Sequence, residues 1–360
     1  PVIISTDHEC FTEEEAADKL SYGMKILIRE GSAAKNFEAL INLLHDNEDM
    51  IMFCSDDKHP DSLVINHINA LCARAVAKGI DVFKVLKAAS LNTIKHYKLD
   101  VGLLNVNDSA DFIIVDNLTQ FNVQATYING NLVAKNGTSF IESVHSTPIN
   151  QFNCELIKIE DLAVDKSLYP QNEVPVIEAL DGQLITNNIP IAADSLLNVN
   201  TNYLESNTAI DVLKIVVVNR YNKAPIAKAF IKNFGLQTGA LASSVAHDSH
   251  NIVAVGVDDE SLANAINLVI KEKGGVAIAF NATEGEVLGL PVAGLMSNKN
   301  GYEVAEAYTK IDKLSKEALG STLQSPFMTL SFMALLVIPA IKLSDKGLFD
   351  GGNFKFINEV

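Results

Sequence analysis

Two adjacent carboxylates, Asp56 and Asp57, directly follow the apolar run Met50-Ile51-Met52-Phe53 in the segment Phe53-Cys54-Ser55-Asp56-Asp57-Lys58-His59-Pro60. An apolar strand that ends in acid points to a site, because in arrays of alternating strands and helices the reactive groups stand where the C-terminal ends of the strands meet the following loops. Asp56 is therefore the first candidate for holding a metal or transferring a proton. Capping of a helix starting near Asp61 is the competing role for Ser55 or either aspartate, and for Asp57 it weighs as much as chemistry. A matching feature lies upstream, where Val2-Ile3-Ile4 is followed by Ser5-Thr6-Asp7-His8-Glu9. His8 and Asp56, at the same end of parallel strands two strand–helix units apart, form a candidate pair for a divalent cation.

The intervening residues supply the elements that would position that pair. Thr12 followed by Glu13-Glu14-Glu15 predicts a capped helix over 13–23. A strand over 24–28 ends in Arg29-Glu30-Gly31-Ser32, and the apolar spacing over 36–45 predicts a second helix leading into the strand at Met50. In a parallel array His8 and Glu9, then Arg29, Glu30 and Ser32, then Asp56 and Asp57 share one rim. Helices are expected over 62–78, 82–89 and 91–97. His67 is as well explained by a solvated helix as by shaping the rim, and Arg74 better by the former. A strand over 111–115 precedes a hairpin turning at Asn129-Gly130. Residues 146–207 read as irregular, with one short strand over 154–159.

Beyond residue 207 the chain reads as alternating β and α: strands over 211–218, 252–257 and 276–280, an amphipathic segment over 224–234 and a helix over 259–273. His247-Asp248-Ser249-His250-Asn251 stands directly before one of these strands. That spacing lets two imidazoles and a carboxylate converge, either on a ligand or on one another. The turn around Gly294, Met296 and Ser297 reads as close packing. The apolar stretch 326–339 reads as core or subunit interface rather than a cofactor box.

Composition narrows the classes. A chain of 360 residues with 48% hydrophobic content is long enough for two or three domains with cores of their own. A net charge of −16 disfavours nucleic acid, since phosphate binding needs a positive surface. Cys10, Cys54, Cys72 and Cys154 are scattered, which argues against a zinc ribbon, a disulfide framework and a Pro-Cys-x-x-Cys zinc site. With no leader and no apolar run of spanning length, the expectation is a soluble cytoplasmic protein that does not engage a membrane.

Several longer motifs resemble one family. Ser5-Thr6-Asp7-His8-Glu9-Cys10, Ile28-Arg29-Glu30-Gly31-Ser32-Ala33-Ala34, Cys54-Ser55-Asp56-Asp57-Lys58-His59-Pro60 and Ala110-Asp111-Phe112-Ile113-Ile114-Val115-Asp116 resemble the adenine deaminases of the amidohydrolase superfamily. So do the run from Gly239 to Asn251, Leu290 to Ser297, Pro326 to Phe332 and Leu343 to Leu348. The resemblance implies an α/β chain in three parts. Residues 1–97 would be the C-terminal part of a metal-dependent (β/α)8 barrel, strands six to eight. Residues 98–165 would be part of a small β domain with an unpaired edge, and residues 166–360 the family's own α/β C-terminal domain. The superfamily's His-x-His pair is absent, so the chain is expected to be the later part of a longer enzyme, with a missing N-terminal segment supplying the remaining ligands.

The same resemblance makes His8 the sixth-strand ligand and Asp56 the eighth-strand ligand and proton acceptor. The metal is then Mn or Fe, with Zn left open by oxygen and nitrogen donors. Glu9 is the candidate proton shuttle, against a role as a helix N-terminal acid. Arg29, Glu30, Ser32, Asp57, His247 and His250 are candidate substrate contacts. The implied reaction is hydrolysis of adenine to hypoxanthine and ammonia in purine salvage, by an enzyme expected to be a homo-oligomer. Two alternatives stay open: opening of a cyclic amide by the same barrel chemistry, and a non-catalytic remnant or assembly subunit.

Overall fold

The computed structural model describes residues 4–32, 34–144 and 147–359. The chain divides into two compact units, Pro1–Val144 and His145–Val360.

In the first unit three parallel strands carry the candidate residues: β1 (Thr6–Asp7), β2 (Lys25–Arg29) and β3 (Ile51–Cys54), in that spatial order. β2 and β3 are apolar along nearly their whole length because layers cover both faces of a parallel sheet. Ile26, Ile28, Ile51 and Phe53 enter one core with Phe37, Leu40 and Leu44. The helix α1 (Glu13–Ser21) starts where Thr12 accepts the amide of Glu15 at 3.2 Å. α2 (Phe37–Leu40) continues as a 3-10 turn over Ile41–His45, tighter than the regular helix expected there.

Three expectations for this unit change. Val2 and Ile3 lie outside the described residues, and the observed strand β1 consists of Thr6 and Asp7, residues expected to follow the strand. The helix expected over 62–78 is two helices, α3 (Pro60–Leu63) and α4 (Ile68–Ala77), because residues 64–67 leave the helical path and Ile65 is left 78% exposed. The two helices expected over 82–97 are one run, Val82–Leu86 joined to Asn92–Tyr97 through a π turn at Lys87–Leu91. There the buried Asn92 donates to the carbonyls of Glu48 and Ile51 at 2.7 and 2.8 Å, fastening the helix to the start of β3.

Strands Phe112–Val115, Val123–Ile128, Asn131–Lys135 and Thr138–Ser139 form a four-stranded antiparallel sheet. Asn129 and Gly130, both at positive φ, make the tight turn expected of that pair.

The second unit is built on an eight-stranded sheet. Its spatial order is Gly285–Gly289, Gly275–Ala279, Ala240–Ser243, Ile252–Gly256, Val212–Val218, Ala227–Lys232, Glu173–Ala179 and Thr186–Ala192. Every neighbouring pair is antiparallel except Ala227–Lys232 with Glu173–Ala179. The helix Asp259–Lys271, capped by Asp258, buries Leu262, Ile266 and Val269 against this sheet.

Here too the sequence reading needs correction. The segment 224–234 is a strand inside the sheet, not an isolated amphipathic piece. Residues 146–207, of which Ser146 lies outside the described residues, contain the long hairpin Glu173–Ala179/Thr186–Ala192, whereas no strand forms over 154–159. The boundary expected at 165 falls instead at 144, because Leu162 is fully buried in the second unit's core and the Asn153 amide bonds to the Arg220 carbonyl. Pro326–Phe332 is a helix buried at every residue, so this part of the apolar stretch 326–339 is core, whereas Val337 is 69% exposed. No helix among the described residues is long and apolar enough to cross a membrane.

Candidate metal and proton-transfer site

Parallel register decides which side chains meet. Arg29, the last residue of β2, pairs with Cys54, the last of β3, so the loop that opens at Ser55 begins beside Arg29. Asp56 takes a left-handed conformation (φ 46°), which aspartate tolerates better than most residues. That conformation lets it reach back over the strand end. Its carboxylate accepts a close contact from Arg29 Nη1, and the same guanidinium donates to both Glu9 carboxylate oxygens, Nη1 at 2.8 Å and Nη2 at 3.0 Å. The Arg29 side chain is only 4% exposed, whereas those of Glu9 and Asp56 are half and one-third open to solvent.

His8 completes the cluster. Its Nε2 lies 3.2 Å from Glu9 Oε1 and 3.6 Å from Asp56 Oδ2, and ligand atoms of the three residues lie within 4.8 Å of one another. Two atoms bound to one metal at roughly 2.0–2.2 Å stand no more than about 4.4 Å apart, so the two histidine separations already suit a shared divalent ion. The donors are one imidazole and two carboxylates. Thiolate is not on offer nearby: burial, and after it the charge of Asp56, pushes the Cys54 thiol up to about 12. Two carboxylates and one guanidinium leave one negative charge, a balance that favours a cation.

A second acidic group, Asp7, Cys10 and Glu15, already holds its cation. Lys19 contacts Asp7 and donates to Glu15 at 2.7 Å and to Cys10 at 3.5 Å. Burial alone would raise the Asp7 carboxyl, but bonds from Lys19 and the Glu9 amide outweigh it and hold the group below its ordinary value. This cluster ties β1 to α1.

The other candidates take distinct places. Glu30 is turned to Arg74 of α4 at 2.6 Å, and Arg74, far from being an incidental solvated group, also bonds Glu38 and covers the Phe37 ring at 3.9 Å. Ser32 Oγ accepts the His59 amide at 2.9 Å, joining the loops after β2 and β3. The Asp57 carboxylate lies against Gly31, where a Cβ would stand 1.7 Å from its Oδ1. His67 bonds Ser55 Oγ at 2.7 Å; burial and then the charge of Lys58 lower its pKa, so it holds that loop as a neutral ring.

His247 and His250 belong to the second unit. His247 Nδ1 bonds Ser331 Oγ at 2.6 Å, and its ring stacks on Phe332 at 4.6 Å. His250 has a buried Nδ1 without a hydrogen-bond partner among the described residues, and burial followed by the charges of His247 and Arg220 lowers its pKa. Sequence reasoning passed over Asn36, a 3% exposed residue whose side chain bonds Arg29 at the end of β2 and the segment that follows β1.

Residues 7–133 match the Amidohydrolase family, and residues 183–355 match the Adenine deaminase C-terminal domain. It is 51% identical over 355 residues to a protein named adenine deaminase from Sulfurovum sp. (strain NBC37-1), and 49% over 356 residues to one of that name from Salinibacter ruber. A third, from Borreliella burgdorferi, is 48% identical over 360 residues. Each match covers 99% of this chain and 64% of the relative, so the chain spans about two-thirds, and slightly less, of the length of the curated relatives it matches. The Amidohydrolase family match over residues 7–133 implies, for that segment, a barrel-type fold with mixed α and β content and a divalent metal.

Proposed function

We propose that the enzyme containing this chain hydrolyses adenine to hypoxanthine and ammonia in purine salvage in the cytoplasm, and that the first unit supplies part of its catalytic barrel. The observation carrying this reading is the clustering of His8 with Glu9 and Asp56, the two acids bonded to Arg29, in a chain that aligns almost throughout with proteins named adenine deaminase. On this reading β1, β2 and β3 are barrel strands six to eight, and their C-terminal ends form the rim.

His8 and Asp56 would hold the metal, taken as Mn or Fe with Zn left open, and that ion supplies activated water at neutral pH. Asp56 accepts a proton from the attacking water. Glu9, next to His8 and open to solvent, delivers a proton to the purine. The balance requires both steps: oxygen adds at C6, the C6–N6 bond breaks, and the two protons of water end on a ring nitrogen and on the departing ammonia. Arg29 keeps Glu9 and Asp56 together through this exchange. Asp57 and Ser32 shape the loops around them, while Glu30, bonded to Arg74, is a weaker substrate contact than its position in sequence suggested. His247, held by Ser331, and His250 are kept as candidate substrate contacts of the second unit.

The test is ammonia release from adenine by the complete enzyme loaded with Mn2+ or Fe2+, beside a dihydroorotate-like substrate. Turnover of adenine, abolished by a chelator and restored by metal, is expected. Turnover of the cyclic amide alone moves the reading to another amidohydrolase reaction. Residues 1–360 by themselves should bind metal weakly and turn nothing over, since His8, Glu9 and Asp56 offer few ligands for a tight site.

A further inference from the structure

Asn36 stands at the entrance of α2 but does not cap it with its side chain. Its Oδ1 accepts the Arg29 amide at 2.7 Å, and its Nδ2 donates to the carbonyls of Cys10 at 3.1 Å and His8 at 3.4 Å. Its own amide returns a bond to the Arg29 carbonyl at 3.1 Å. The side chain is buried, and its bonds with the Arg29 amide and the Cys10 carbonyl lie in the interior, where losing a partner is costly.

The placement matters because the β1–β2 ladder is so short. It runs from Thr6–Lys25 to Asp7–Ile26 and stops, so the backbone at His8 and Glu9 has already left the sheet while Arg29 lies three residues further along β2. No ladder bond fixes the His8–Glu9 backbone against the strand end from which the guanidinium reaches it. Asn36 spans that interval, gripping Arg29 with its oxygen and both sides of Glu9 with its nitrogen.

We propose that Asn36 is a positioning residue that sets His8 and Glu9 against Arg29 and Asp56, and so fixes the geometry of the metal-binding cluster; the inference rests on the function proposed above. The chemistry of the residue fits the task. One planar group must accept from an N–H and donate to two carbonyls, which a carboxamide does and an ionised carboxylate does not. Aspartate would keep the bond from Arg29 but turn an oxygen toward the carbonyls of His8 and Cys10. Glutamine would need room for a further methylene in a filled interior.

The test compares Mn2+ affinity in the complete enzyme for the wild type, Asn36→Ala, Asn36→Asp and a control, Leu44→Ala. Leu44 is fully buried in the same core. Affinity is measured by calorimetric titration at a temperature where circular dichroism shows each variant folded. The Asn36 variants are expected to bind Mn2+ about 10- to 100-fold more weakly, the usual consequence of losing a group that orients a ligand. Leu44→Ala should bind like the wild type despite its lower melting temperature. Should Asn36→Ala not fold, Asn36→Asp, with nearly the same volume, carries the comparison. Wild-type affinity in a folded Asn36 variant, or an equal loss in Leu44→Ala, overturns the positioning role and leaves the proposed function standing. A wild-type enzyme that binds no Mn2+, Fe2+ or Zn2+ overturns both.

Discussion

Replacing Asp56 by asparagine separates chemistry from structure at this site, because the side chain keeps its size and loses its charge. The structural cost is bounded by what Asp56 touches. A hydrogen bond to a charged group is worth roughly 1.5–3 kcal/mol, the amide oxygen retains part of it, and the carboxylate is one-third open to water. Arg29 also keeps both bonds to Glu9. A stability loss of about 1 kcal/mol is therefore expected. The catalytic cost is larger: loss of a proton acceptor is worth ~10²- to 10⁴-fold, and loss of a metal ligand adds about another factor of ten or more. The expected fall in kcat of ~10³- to 10⁵-fold corresponds to roughly 4–7 kcal/mol of barrier, several times the stability change. Initial rates of ammonia release at saturating adenine and Mn2+, with a thermal melt of the same preparation, read both quantities. A kcat within tenfold of wild type with metal bound, or a rate loss that only follows the unfolded fraction, would refute both assignments of Asp56.

Gly31→Ala should displace the Asp57 carboxylate, which lies where the new methyl would go, and cost about 1–3 kcal/mol by overpacking. Adding Asp57→Ala should recover most of that loss, and strictly additive melts would show that the contact is not the cause. Lys342 is fully buried, donates to the Leu184 carbonyl at 2.6 Å, and has its pKa pushed down to about 7 by burial. Between pH 7 and 10.5 the unfolded chain then binds the proton that the folded chain refuses, so stability should rise with pH across that window, by at most ~1.4 kcal/mol per unit. Lys342→Met should flatten that rise in urea melts at several pH values and stabilise the protein at pH 7; an unchanged slope would assign it to other groups.

How much of this the sequence disclosed depends on whether the deciding forces were local. The Thr12 cap, the Asn129-Gly130 turn and the doubly covered strands at Ile26 and Ile51 are written in adjacent residues, and the structure has each of them. The hairpin ending at Ala192 was not legible. Its second strand, Thr186-Asn187-Asn188-Ile189-Pro190-Ile191-Ala192, carries two asparagines and a proline that read as loop, and only its place at the sheet edge makes them tolerable. The second unit looked like alternating β and α because the helix Asp259–Lys271 stands between two strands, while the antiparallel pairing around it depends on contacts remote in sequence. At the site, residue type and position relative to strand ends drew attention to His8, Glu9 and Asp56. Asn36 went unnoticed because its partners, Arg29 on β2 and His8 and Cys10 after β1, are remote from it in sequence.

Arg29 draws these observations together, and it ranked low in sequence because a lone arginine after a strand shows neither its burial nor its partners. Two acids this close repel each other. A buried guanidinium bonded to both offsets that repulsion. Its single positive charge leaves the acid pair with one negative charge still uncompensated, so a dication remains attracted, and the rigid fork fixes where the carboxylates wait for it. Lysine at this position would supply the charge without the geometry, since one ammonium cannot hold Glu9 through two parallel bonds while also reaching Asp56. The chain thus prepares the acid pair through Arg29, and prepares Arg29 in turn through the short stretch of backbone that Asn36 holds.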